Sequence, residues 1–155
     1  MGIEIERKFL VKDDSWKAEA GEGQVYRQGY LCSGHGKTVR VRIMGKQAIL
    51  TIKGPTNGIS RSEFEYEIPV ADAEAMLPLC GNLVEKTRYI IEHAGMPWEL
   101  DVFAGANDGL VMAEIELDSE DQSIELPDWA GEEVSGDPRY YNAYLAEHPF
   151  STLDK

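Results

Sequence analysis

Charges of a single sign recur at alternate positions along this chain, and that pattern restricts what it can fold into. Glu4 and Glu6 share parity with Lys8; Arg40 stands with Arg42, Thr51 with Lys53, Glu63 with Glu65 and Glu67, Lys86 with Arg88, Glu99 with Asp101, and Glu114 with Glu116. The positions between them are apolar: Ile3, Ile5 and Phe9; Val39, Val41 and Ile43; Leu50 and Ile52; Phe64, Tyr66 and Ile68; Trp98, Leu100 and Val102; Ile115 and Leu117. Residues i, i+2 and i+4 share one face of a strand, so the period predicts strands and not helices. Eight are expected, over 3–11, 25–31, 38–44, 47–53, 62–69, 83–93, 97–103 and 110–117. Short links such as Gly45-Lys46 make neighbours antiparallel.

Helical signals are few. Asp72 caps a short helix running to about Leu79 and Cys80, with Gly81 as its stop, and residues 119–123 form a helical turn. Asp137-Pro138 opens a helix over 139–147, which Pro149 closes. No repeat or linker divides the 155 residues, so a single domain over 1–155 is expected.

Composition excludes some partners. The chain carries 15 Lys and Arg against 28 Asp and Glu, a net charge of -13, which disfavours nucleic acid and anionic lipid. No apolar run approaches the roughly 20 residues of a membrane span, and no basic, apolar leader opens the chain; a cytoplasmic protein is expected. Cys32 and Cys80 lack C-x-x-C spacing and read as reduced thiols. Gly34-His35-Gly36-Lys37-Thr38 resembles the end of a phosphate loop, but Leu31 stands where the first glycine belongs and a strand follows. His35, His93 and His148 are too scattered for a zinc site, and Asp118, Glu120 and Asp121 lack the spacing of an EF-hand loop.

Periodicity does not decide which face is inside. Pattern alone favours an apolar interior with the charges in water. Segregation by sign weighs against that arrangement. Like charges two residues apart lie about 7 Å from one another, and each pair costs about 2 kcal/mol at an effective dielectric near 20. The cost is offset if the acidic runs hold a divalent cation and the basic runs a polyanion within one lumen.

Glu4-Ile5-Glu6-Arg7-Lys8 matches the E-x-E-x-K signature of the CYTH superfamily, the triphosphate tunnel metalloenzymes. Arg27-Gln28-Gly29-Tyr30-Leu31, Arg40-Val41-Arg42, Thr51-Ile52-Lys53, Glu63-Phe64-Glu65, Glu85-Lys86-Thr87-Arg88-Tyr89, Glu99-Leu100-Asp101 and Glu114-Ile115-Glu116 follow in order. Over residues 3 to about 145 the chain resembles the compact bacterial inorganic triphosphatases. The resemblance implies a mainly β fold: an eight-stranded antiparallel barrel tunnel with a charged lumen and a few short helices, one of them C-terminal. That reverses the preference drawn from pattern alone.

The resemblance also implies roles. Lys8, Arg40, Arg42, Lys86 and Arg88 clamp the triphosphate, joined by Arg139, the one basic residue of the C-terminal helix. Glu4, Glu6, Glu114 and Glu116 lead the metal ligands, Mg²⁺ or Mn²⁺, as one ion or two. Glu63, Glu65 and Asp101 either join them or hold the basic residues. Lys53 and Tyr30 form a catalytic pair that orients and deprotonates the attacking water. The implied reaction cleaves tripolyphosphate to diphosphate and phosphate, in a monomer or homodimer. Alternatives are a class IV-like adenylate cyclase, a thiamine triphosphatase and, of another kind, a non-catalytic polyphosphate-binding module. Tyr26, Tyr140, Tyr141 and Tyr144 form either an aromatic rim for a base or ordinary packing.

Overall fold

In the computed structural model, which describes residues 2–150, the alternating segments are strands. They are β1 (Gly2–Val11), β2 (Gln24–Gly34), β3 (Lys37–Met44), β4 (Gln47–Lys53), β5 (Ser60–Ile68), β6 (Val84–His93), β7 (Met96–Phe103) and β8 (Val111–Glu116). Their order is β5-β4-β3-β2-β6-β7-β8-β1, and β1 pairs back to β5, so eight antiparallel strands close into a barrel. The closing register sets Gly2 opposite Glu63 and Glu4 opposite Arg61. His35-Gly36 and Ala94-Gly95 turn two hairpins with both residues at positive φ, the conformation whose twist matches that of paired strands.

A short ninth strand, β9 (Ala130–Glu133), lies on the stretch of β1 that β5 leaves free, where Val11 pairs with Ala130. Four residues without alternation carry no periodic signal, so it was not expected. Helix α1 (Val70–Met76) begins two residues before Asp72, directly after Pro69, and tightens into a 3₁₀ turn over Leu77–Leu79. The C-terminal helix is shorter than expected. Pro138–Tyr140 forms a 3₁₀ turn, Tyr141 is extended (φ -73, ψ 136), and α2 covers only Asn142–Glu147. Residues 119–123 hold one hydrogen-bonded turn, Gln122 N–H to the Ser119 carbonyl at 3.2 Å, which no helix continues. No helix among the described residues is long and apolar enough to cross a membrane.

The apolar parity faces outward and is buried in part by peripheral segments, while Ile3, Ile52, Phe64 and Tyr66 stay exposed. Phe9, Trp98, Leu100 and Ile115 pack beneath Trp16 and Trp129, while Val41, Ile43 and Ala48 pack beneath Ala73 and Leu77 of α1 and its following turn. A third cluster lies on the inward parity. Leu10, Val84, Phe103 and Met112 continue the charged rows of β1, β6, β7 and β8, and they meet Leu145 and Ala146 of α2. The lumen is therefore charged along most of its length and apolar at the end that α2 covers. Burying the two α2 side chains there removes both the helix and the apolar rows from water.

Candidate active site

The inward parity delivers its charges to one cavity of about 400 Å³, lined by Glu4, Glu6, Lys8, Tyr30, Arg40, Arg42, Lys53, Glu63, Glu65, Lys86, Arg88, Glu99, Glu114 and Glu116, among others. The charges separate into two poles. At the acidic pole Lys53 Nζ sits 3.0 Å from both carboxylate oxygens of Glu4 and 3.5 Å from Glu63. One ammonium does not neutralise what surrounds it. Burial, then Glu114 and Glu4, push Glu6 well above the usual carboxylate range. Burial and Glu4 raise Glu63 to about 7, and burial with Glu4 and Glu65 raises Glu116.

The cationic pole holds Lys8, Arg40, Arg42, Lys86 and Arg88, all buried. Arg88 makes a two-pronged contact with Asp101, Nε to Oδ1 at 2.7 Å and Nη2 to Oδ2 at 2.9 Å, and also reaches Glu99 at 2.9 Å. Lys86 Nζ lies 2.7 Å from Asp101. Burial raises Asp101, but Lys86 and Arg88 outweigh it and hold the carboxyl below its usual range. That single carboxylate is shared. Burial, together with Arg88 and Arg42, brings Lys86 down to about 7 in spite of it. Burial, Arg40 and Arg88 bring Arg42 down to about 9. The Tyr26 ring lies between the Arg42 and Arg88 guanidiniums, 4.7 and 4.9 Å from them. Arg40 donates from Nη2 to Thr51 at 3.1 Å, yet its buried Nε has no partner. Arg40 Nε is thus a buried donor without a partner, and Lys86 and Arg42, unlike Lys8 and Arg88, are held below their ordinary range by burial and neighbouring cations, an arrangement suited to receiving an anion.

Glu114 stands between the poles. Burial raises it, but Lys8, Arg88 and Lys86 outweigh that effect and hold it well below the usual range; its oxygen is 3.6 Å from Lys8 Nζ. Glu65 lies 3.9 Å from Arg40 and is more open to solvent.

The structure brings most of the sequence-predicted residues together, with three qualifications. Arg139 does not line the cavity: its side chain is 55% exposed and ion-paired to Asp137 at 2.6 Å. Asp101 is 2% exposed, lies outside the cavity lining and is committed to Lys86 and Arg88. Tyr30 and Lys53 both line the cavity, from strands β2 and β4, which are not neighbours in the barrel. Lys53 is held in the acidic pole, whereas Tyr30 pairs across strands with Arg40 and packs on the apolar cluster under α2. Tyr26 is buried away from any rim, and Glu67 is exposed. Sequence reasoning missed Gln28 and Asn142, whose amides reach Arg42 and Lys86. Gln28 has the inward parity of β2; Asn142 carries no periodic signal.

No three carboxylate, imidazole or thiolate groups among the described residues form a ready-made metal cage. The donor chemistry nonetheless suits a hard divalent cation. Mg²⁺ is ordinarily held by one or two carboxylates, waters and substrate phosphates and needs no cage made wholly of protein. Burial and then mutual repulsion raise Glu6, Glu63 and Glu116, and a bound cation would relieve both costs.

The Glu63 shift gives a testable pH dependence. A folded-state value near 7 against an ordinary 4.5 means that its contribution to stability is complete below about 4.5 and lost as pH rises through about 7. In EDTA, the melting temperature of the wild type relative to Glu63→Gln is expected to fall between pH 5 and pH 8. A cation held by the ionised carboxylate would flatten that fall, so the same comparison in Mg²⁺ reads whether Glu63 takes part in holding one. A difference that stays level or rises in EDTA contradicts the assignment.

Comparison with known proteins places these features in a wider set. The CYTH domain family matches residues 2–141. A protein of Acetivibrio thermocellus named inorganic triphosphatase is 49% identical over 155 residues, covering 99% of each chain. A second of the same name, from Nitrosomonas europaea, is 41% identical over 152 residues, covering 92% of this chain and 96% of that one. A crystal structure of an inorganic triphosphatase superposes with a TM-score of 0.66 at 40% identity, over 92% of this chain and 93% of that chain. A Hippeastrum protein described as a putative adenylyl cyclase with dominant triphosphatase activity shares the fold, with a TM-score of 0.59 at 13% identity over 77% of this chain.

Proposed function

Because this chain belongs to the CYTH family, we propose that it is an inorganic triphosphatase, which hydrolyses tripolyphosphate to diphosphate and orthophosphate within the barrel. The observation that carries this reading is the cationic pole with its unpartnered Arg40 Nε. The pole gathers five buried cations, and a linear triphosphate presents oxygens to several cations at once. Lys8, Arg40, Arg42, Lys86 and Arg88 bind and orient it. Positioning and neutralisation of charge are most of what phosphoryl transfer asks of a protein.

At the acidic pole Glu4, Glu6, Glu63 and Glu116, with Glu114 between the poles, would hold Mg²⁺ or Mn²⁺. When bound, such an ion neutralises phosphate oxygens and lowers the pKa of a coordinated water. Asp101, fixed by two cations, orients Lys86 and Arg88. Lys53, anchored by Glu4 and Glu63, faces the cavity where water reaches the terminal phosphorus and orients it. The new P–O bond forms to that water as the bridging P–O bond breaks; the hydroxyl stays on the orthophosphate, and the other proton leaves with the diphosphate. Tyr30 supports Arg40 from the neighbouring strand.

The deciding assay is phosphate release from tripolyphosphate, ATP and thiamine triphosphate, each with Mg²⁺, with Mn²⁺ and with EDTA. Metal-dependent turnover of tripolyphosphate to equal amounts of orthophosphate and diphosphate is expected, with at least about a hundredfold loss in EDTA. Cyclic nucleotide from ATP would identify a cyclase. Tight calorimetric binding of tripolyphosphate without turnover of any substrate would identify a binding module.

A further inference from the structure

Two neutral amides brace the cationic pole. Gln28 on β2 is fully buried and stands opposite Arg42 on β3; Asn142 is the first residue of α2. Arg42 Nε donates to Gln28 Oε1 at 2.7 Å, and Gln28 Nε2 donates to Asn142 Oδ1 at 3.0 Å. Lys86 Nζ donates to that same Oδ1 at 2.9 Å. Both amide orientations are forced by the ends of this series. Ammonium and guanidinium groups only donate. Asn142 must therefore turn its oxygen toward Lys86, Gln28 must offer its NH₂ to that oxygen, and the Gln28 oxygen is left for Arg42.

The choice of amides has a physical consequence. Asp101 also holds two cations, but its charge offsets theirs. An amide oxygen fixes the direction of a cation and leaves its charge available to a polyanion. The anchor of the series is rigid as well: Leu145 and Ala146, on the same short helix as Asn142, are buried in the apolar end of the lumen.

We infer that Gln28 and Asn142 are positioning residues, which hold Arg42 and Lys86 in the orientation that receives the triphosphate, and that α2 acts on the site through them. This rests on the triphosphate reading of the cavity. Arg139, the basic residue just ahead of α2, has no part in it.

The test compares Asn142→Ala, Gln28→Ala and the double variant by steady-state kinetics on tripolyphosphate, with the arginine Nε–H resonances followed by NMR. Each single change is expected to raise KM about tenfold with kcat kept within about threefold. The double variant should lose less than the product of the two single losses, since both changes remove the Gln28–Asn142 hydrogen bond. Arg42 Nε–H, buried and bonded to Gln28, should exchange slowly in the wild type and faster in Asn142→Ala, two links away. A purely structural role would lower the melting temperature but leave KM and Arg42 exchange unmoved, and that result would overturn the inference; so would independent, multiplying losses in the double variant. If an alanine variant fails to fold, Asn142→Ser and Gln28→Met carry the same expectations. A wild type that turns over no tripolyphosphate would refute the triphosphate reading instead, and Arg42 exchange in the Asn142 variant would still decide the positioning claim.

Discussion

Asp101→Ala is expected to lower the melting temperature of the metal-free protein by roughly 10 °C. Its carboxylate is buried against Lys86 at 2.7 Å and Arg88 at 2.7 and 2.9 Å, so the substitution leaves two buried cations without their counter-charge. Breaking a buried pair from one side costs about 3–5 kcal/mol, and about 2–4 °C accompanies each kcal/mol in a chain of this size. Asp101 has a depressed folded-state pKa, so its stabilisation is present above the ordinary aspartate range and lost as pH falls through the folded value. The wild type and the variant should converge in acid. The experiment also separates the two roles that the sequence left open. A variant with unchanged melting temperature and weakened Mg²⁺ binding would return Asp101 to the metal ligands.

Lys53→Ala should lower kcat on tripolyphosphate by about 10²–10³ while changing KM little, a loss of the size seen when a group that positions or transfers a proton is removed. Arg40→Ala or Arg42→Ala should do the opposite, raising KM with a smaller effect on kcat, because those side chains hold the substrate before and during reaction. The acidic pole offers an internal control. Removing Lys53 takes away the ammonium that Glu4 and Glu63 share, so the apparent affinity for Mg²⁺ should rise or hold. A fall in kcat that excess Mg²⁺ restores would make Lys53 part of the cation site and not a water-orienting group. The reverse KM and kcat ordering among the three variants would overturn both role assignments.

Much of the site was legible because charge and parity coincide. Glu4, Glu6, Lys8, Arg40, Arg42, Lys53, Glu63, Glu65, Lys86, Arg88, Glu114 and Glu116 line one cavity: parity put the charges of each strand on one face, and barrel closure turned those faces toward one another. Arg139 was chosen because a C-terminal helix needed a basic residue, and the structure gives that residue to Asp137. Gln28 and Asn142 were overlooked because the search followed charge, and an amide that orients a cation adds none. Tyr30 and Lys53 stand on the same lining but in different company, Arg40 and the apolar cluster for one and Glu4 and Glu63 for the other, a distinction that one-dimensional spacing across two different strands does not contain.

By itself the sequence determined the strands, the hairpins and which side chains share a face, since each follows from the period-two geometry of an extended backbone and from local turn chemistry. Only the tertiary structure decided that the charged face is the inner one. A strand's two faces are equivalent until the sheet curls and its edges meet, and here β1 meets β5. Closure confines the charged rows, while Trp16, Trp129, α1 and its following turn remove much of the outward apolar rows from water. It also brings residues far apart in sequence into register, setting Lys53 against Glu4 and Asn142 against Lys86. Those contacts depend on how the closed barrel and its covering helix pack, which no local pattern in the chain encodes.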